Sequence, residues 1–140
     1  MEKMTVTKKV TIDASTDEVW KALTTPALVK QYLFGTDVKS DWKKGSPIIY
    51  SGNWQGKDYQ DKGTILDTQP GKLLKHTHWS SLSGTADIPE NYYTVTYSLE
   101  PAGEQTNLTL TQEGLMTKEA AEHSGKNWEA VLSKLKEVVE

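Results

Sequence analysis

The sequence predicts an α+β domain: an antiparallel sheet of six or seven strands wrapped around one long C-terminal helix, with two short helices near the start. Three observations carry this. Short runs of alternating apolar and polar residues recur between turn signals. Two helix-start signals stand close together in the first quarter. From Thr117 onward the apolar period changes to 3.6 residues and holds to the end.

The elements follow in order. Val6, Val10 and Ile12 alternate with threonines and lysines, so Thr5 to Asp13 reads as a half-buried strand. Ser15 followed by Glu18 is a capping box, in which the hydroxyl takes an orphan amide of the first helical turn. Val19, Trp20 and Leu23 then share one helical face. Thr25-Pro26 opens a second helix, because proline at the first position loses no hydrogen bond and brings its φ already set. Leu28, Val29 and Tyr32 form its apolar face.

Strands come next. Pro47 to Tyr50 follows the turn at Lys44-Gly45, and Tyr59 to Asp67 is longer, with Gly63 expected at a bulge. Leu73 to Trp79 follows the turn Gln69-Pro70-Gly71. Tyr93, Val95, Tyr97 and Leu99 alternate with polar residues, and across Pro101-Ala102-Gly103 so do Leu108 and Leu110, which marks a hairpin. Strands joined by short turns are antiparallel, and a sheet with one apolar face must be covered. The terminal helix, at roughly 22 residues and about 33 Å, is long enough to do so.

Composition bounds the function. The 140 residues suffice for one domain, residues 1–140, with a core that needs no staples. Cysteine is absent, which excludes disulfides, thiolate catalysis and cysteine-bound metals. All 16 basic residues are lysine. Arginine's bidentate fork for phosphate and guanine is therefore missing. With a net charge of −3, a nucleic-acid partner is not expected. No signal peptide or membrane span is legible, so the expected location is cytoplasmic. No cofactor is implied.

The terminal helix carries the sharpest local inference. Its apolar stripe runs Ala121, Ser124, Gly125, Trp128, Val131, Leu132, Leu135, Val138 and Val139. The second half is bulky and the first nearly bare. Glycine inside a helix costs about 1 kcal/mol relative to alanine, so a packing reason is expected. A cavity opposite Ala121, Ser124 and Gly125, floored by Trp128, is one reading; an aromatic from the sheet filling that gap is the other. Strand parity turns Tyr93, Val95 and Tyr97 inward, with Leu108 and Leu110. Tyr50 and Trp54 share parity with Ile48, and Tyr59 shares it with Ile65. For Leu73 to Trp79 parity leaves two choices: Leu73, Lys75, Thr77 and Trp79 point in, or Leu74, His76 and His78 do.

His76 and His78 share one strand face, a spacing that metal sites use, but the only third histidine is His123. On an outward face the two form a solvated pair, and no metal site is expected. Acid–base candidates are His123, Tyr93, Tyr97 and Asp61; no spacing among them demands a reaction, and no catalytic residue is assigned.

The run Ile12-Asp-Ala-Ser-Thr-Asp-Glu-Val-Trp-Lys-Ala-Leu-Thr-Thr-Pro26 resembles the opening of SRPBCC (START-like, helix-grip) domains. Within them it is most similar to the group related to activators of the heat-shock protein 90 ATPase. Gly63-Thr-Ile-Leu-Asp67, Pro70-Gly-Lys-Leu-Leu74, Trp79, Val95 to Pro101, Thr106 to Thr111 and the helix with His123 and Trp128 extend the likeness over the whole chain. Two departures are visible. Gln31-Tyr32-Leu33-Phe34 stands where such domains often carry paired tryptophans, and Lys126-Asn127 separate Gly125 from Trp128.

The resemblance implies a helix-grip (START-like, Bet v 1-like) fold with a cavity between sheet and C-terminal helix that takes apolar small molecules. It also favours Trp79 as an inward aromatic. The expected function is thus binding of a hydrophobic, aromatic or lipid-like ligand by Tyr50, Trp54, Tyr59, Trp79, Tyr93, Tyr97, Ala121, Ser124, Gly125 and Trp128. The alternatives it leaves are a chaperone-associated interaction protein and a polyketide cyclase or aromatase-like enzyme.

Overall fold

A computed structural model describes residues 4–81, 86–115 and 117–140, without the side chains of Trp54 and Leu115. The chain runs β1 (Met4–Ile12), α1 (Thr16–Thr24), α2 (Pro26–Tyr32), β2 (Asp37–Ser40), β3 (Pro47–Trp54), β4 (Lys57–Gln69) and β5 (Leu73–Ser80). It continues through a single 3-10 turn (Pro89–Asn91), β6 (Tyr93–Ala102), β7 (Gln105–Leu115) and α3 (Lys118–Val139). The strands form one antiparallel sheet in the order β1-β7-β6-β5-β4-β3-β2. This is the helix-grip arrangement that the periodicities predict.

Local chemistry sets the helices. Ser15 caps α1 by accepting from the Glu18 amide at 3.2 Å, and Thr117 caps α3 by accepting from Ala120 at 3.0 Å. Each such cap contributes about 1 kcal/mol. Pro26 opens α2 at its first position. The predicted hairpin is β6–β7, closed between Ala102 and Gln105 with Gly103 at φ 66°, the positive angle a tight hairpin demands.

The strand count is seven, within the expected six or seven, and one expectation needs revising. The seventh strand, β2, is four residues long with Val38 alone buried, too short to show a period. Gly63 is not at the bulge. The register shift falls between Ile65 and Asp67, while Gly63 lies where a Cβ would come within 1.7 Å of the Thr77 carbonyl oxygen. Glycine there lets β5 approach closely, which any side chain would forbid.

The core lies between the sheet's inner face and the helices. Ile12, Leu108, Leu110, Leu99 and Val95 meet Val131, Leu132 and Leu135 of α3, with Val19, Leu23 and Val29 from the short helices. Each such side chain contributes about 1.5–3 kcal/mol by leaving water. α3 lies chiefly along β1. Lys8 pairs with Glu129 at 2.7 Å, and near the helix end Lys136 donates to the Thr11 carbonyl at 2.9 Å.

Candidate functional site

Register fixes which side chains share the inner face. Leu74 pairs with Tyr97, His76 with Val95 and His78 with Tyr93. Leu74 and His76 are buried at 1 % and 2 % exposure. The ambiguous strand therefore turns Leu74, His76 and His78 inward, opposite to the choice the resemblance favoured. Trp79 goes to the outer face, where it stacks on Tyr92 and lies under the Lys62 ammonium, 5.9 Å from its ring centre. The physical reason is pairing: Leu74 and His76 lie beside buried Tyr97 and Val95, so a slip of one residue would expose the apolar set. The histidines are consequently not a solvated pair.

Inner-face rows change character along the sheet. At the level of α3's bulky half they are aliphatic: Val10 with Leu108, and Leu108 with Leu99. Toward the other end they become polar and aromatic, with Gln112 beside Val95, His76 beside Val95, and His78 beside Tyr93. The His76 and His78 rings lie 6.0 Å apart, and Tyr50 lies 6.0 Å from the first and 5.9 Å from the second. Tyr93 stacks on His78 at 5.1 Å and Tyr97 on His76 at 6.4 Å. Trp128 descends from α3, its edge against Tyr97 at 6.1 Å and its indole N–H donating to buried Gln112 at 2.8 Å.

The polar atoms in this cluster are unevenly satisfied. His78 Nε2 donates to Asp61 Oδ2 at 3.1 Å; the two side chains remain 16 % and 18 % exposed, so solvent reaches them. His76 Nδ1 lies 2.8 Å from the Thr77 carbonyl, which can only accept, so that nitrogen carries the proton. Burial, and then the neighbouring His78, push the His76 pKa down to about 4, against a smaller opposing effect of the Thr77 carbonyl. His76 is therefore neutral near pH 7, with a bare lone pair on Nε2. Among the described residues, His76 Nε2 and Asp61 Oδ1 are buried and find no hydrogen-bond partner.

Phenols converge on the same place. Burial raises Tyr32 well above the ordinary tyrosine value, with Tyr97 and Tyr50 adding to the effect. Tyr50 is raised by burial, then by Tyr97 and Asp61, and Tyr93 by burial and Asp61. Each phenol is thus held as a neutral hydroxyl. At the rim, Thr36 gives its proton to the Leu33 carbonyl at 2.7 Å, so Tyr59 must be the donor in its short bond to Thr36. The Tyr59 ring covers Gly52 on β3.

The sequence-predicted residues divide accordingly. Tyr50, Tyr93, Tyr97 and Trp128 come together, and Tyr59 lies at the rim of the same face. Trp79 does not join them, and the side chain of Trp54 lies outside the described residues. Ser124 is half-buried on α3. Gly125 faces β1, where an added Cβ would meet Lys8 Cε at 3.2 Å and Val6 at 3.8 Å. The space above this glycine is taken by the lysine stem, and close packing explains it. Ala121 and Gly125 also line an open groove of about 500 Å³ beside β1, rimmed by Lys118, Lys126, Glu122 and Glu129. Tyr32, His76 and His78 are the cluster members that no ligand-site expectation included, and Asp61 was named only as an acid–base candidate. Tyr32 was legible only as a helix-face apolar residue, and an imidazole on a strand looks alike in sequence whichever way it points. His123 is exposed on α3. Among the described residues no group of three or more His, Asp or Glu could hold a metal ion, and no helix is long and apolar enough to cross a membrane.

Comparisons with known proteins agree with this architecture. The solution structure of ChR145 from Cytophaga hutchinsonii is 42 % identical, with a TM-score of 0.84 over 97 % of this chain and 93 % of that one. The Aha1 dimer from Colwellia psychrerythraea superimposes with a TM-score of 0.78 at 21 % identity, covering 98 % of this chain and 96 % of that one. CalU16 from Micromonospora echinospora has a TM-score of 0.72 at 21 % identity, over 99 % and 85 % of the two chains. The last two likenesses are of fold alone. No curated protein matches. The family model described as "Activator of Hsp90 ATPase homolog 1-like protein" matches residues 13–140, and the chain belongs to that family within the START-like, SRPBCC fold.

Proposed function

We propose that this protein binds a hydrophobic aromatic small molecule against the inner face of the sheet, under α3. Tyr50, Tyr93, Tyr97 and Trp128 would form the walls and Tyr59 the rim. One observation carries the reading: aromatic rings surround two buried, unpaired polar atoms at an end of the sheet where His78 and Asp61 still meet solvent. Binding sites combine apolar walls with a few placed polar groups in this way. Aromatic rings also suit flat ligands, through stacked and edge contacts worth about 0.5–1.5 kcal/mol each.

The test is tryptophan fluorescence during titration with naphthalene and 2-naphthol. Saturable quenching at one ligand per chain, much reduced in Trp128→Phe, is expected. No saturable change with either probe overturns the reading. A second reading is supported by the family description and by the fold shared with the Aha1 dimer: association with the Hsp90 chaperone. Retention of this protein on immobilised Hsp90, together with silent ligand titrations, would favour it.

A further inference from the structure

The two unpaired atoms have a definite polarity, and it restricts the ligand further. Both are acceptors. Asp61 Oδ1 belongs to a carboxylate whose other oxygen is taken by His78, and His76 Nε2 is a lone pair because Nδ1 holds the ring proton toward the Thr77 carbonyl. Burying an acceptor without a donor is costly, and the cost is larger for a charged one. The groups around them bring no positive charge to an anion. Among the described residues the aromatic cluster holds phenols, imidazoles and the Asp61 carboxylate, and no lysine takes part in it. Where α3 meets β1, Lys8 and Lys136 are engaged with Glu129 and with the Thr11 carbonyl.

Resting on the ligand-binding reading above, we infer that the site selects a neutral hydroxyl-bearing aromatic, a phenol or aromatic alcohol. Its O–H is given to Asp61 or His76 and its ring is held by Tyr50, Tyr93, Tyr97 and Trp128. A bare hydrocarbon of the same shape leaves both acceptors unpaired. A carboxylate of the same shape brings like charge to Asp61 and no proton to offer. Discrimination of this kind is steep, because a site built around buried polar atoms rejects the analogue that cannot pair with them.

The experiment compares three probes on one ring system, by isothermal titration calorimetry on the full chain at pH 7: 2-naphthol, naphthalene and 2-naphthoate. The expected order is 2-naphthol tighter than naphthalene by about tenfold or more, as for a hydrogen bond to a charged group, with 2-naphthoate weakest. In Asp61→Asn, which keeps the shape and can still face His78, the ratio of 2-naphthol to naphthalene affinity should fall at least severalfold. The wild-type series decides the matter even where that variant folds poorly. Equal affinity for 2-naphthol and naphthalene, the result expected if water alone serves these atoms, overturns this inference and leaves the aromatic-site reading standing. Tighter binding of 2-naphthoate overturns it as well. Absence of binding by all three defeats the underlying reading and this inference with it.

Discussion

His76 shows how a single side chain links the interior to pH. Its pKa falls from the usual 6.5 to about 4 because burial penalises the imidazolium and His78 lies beside it. The unfolded chain therefore binds the extra proton before the folded one does. The stabilising contribution is complete above pH 6.5 and is lost as pH falls toward 4. Between pH 7 and pH 5 this one group should cost about 2 kcal/mol of stability. Urea denaturation at the two pH values measures it. His76→Gln, which cannot titrate, is expected to reduce the pH dependence by about that amount; an unchanged dependence would show that His76 is not the buried neutral imidazole described. Sequence alone left the direction of this residue open. Its parity is shared with His78 on a strand whose two faces carry Leu73, Thr77 and Trp79 against Leu74, His76 and His78. Nothing local breaks that tie. The neighbours that do, Tyr97 and Val95 on β6, are distant in sequence.

At the scale of the element, legibility follows length and period. The β6–β7 hairpin and α3 were readable because ten or more residues repeat a clear pattern there, and the caps Ser15 and Thr117 mark their helices through specific hydrogen bonds. β2 was not, since a single buried valine makes no period. The glycines were noticed as exceptions, but their causes lay in tertiary contacts. Gly63→Ala would drive a methyl group into the Thr77 carbonyl, so β4 and β5 would have to part locally. A loss of about 3 kcal/mol or more in chemical denaturation is expected, in the range of the severest backbone effects. Wild-type stability would contradict the close approach described. Gly125→Leu should cost about 1–3 kcal/mol by overpacking against Lys8 and Val6. The same substitution should leave aromatic-ligand affinity nearly intact, because Gly125 faces β1 rather than the polar end of the sheet. Loss of affinity with stability preserved would place the ligand in the groove beside β1 instead.

For the molecule as a whole, the inner face divides into an aliphatic end that packs α3 and a polar aromatic end that holds the proposed ligand site. The aliphatic rows under Val131, Leu132 and Leu135 hold α3 in place; Leu108→Ala there, between Val10 and Leu99, should cost about 3 kcal/mol in a thermal or urea melt, with no selective effect on ligand discrimination. Among the described residues the polar rows hold two buried acceptors without a hydrogen-bond partner, the groups that a ligand donor would satisfy. Sequence reasoning named the walls of the proposed site, Tyr50, Tyr93, Tyr97 and Trp128, through strand parity and helical spacing. It named Asp61 only as an acid–base candidate and left the direction of His76 and His78 open, because their burial is a property of the assembled sheet. The most direct test of a ligand site at this end is a two-dimensional ¹H–¹⁵N NMR titration with 2-naphthol. The account predicts progressive shifts at the backbone amides of Asp61, His76, His78 and Tyr97 and at the Trp128 indole N–H. Shifts confined to Val6, Thr7, Ala121 and Gly125, or no shifts at all, would contradict it.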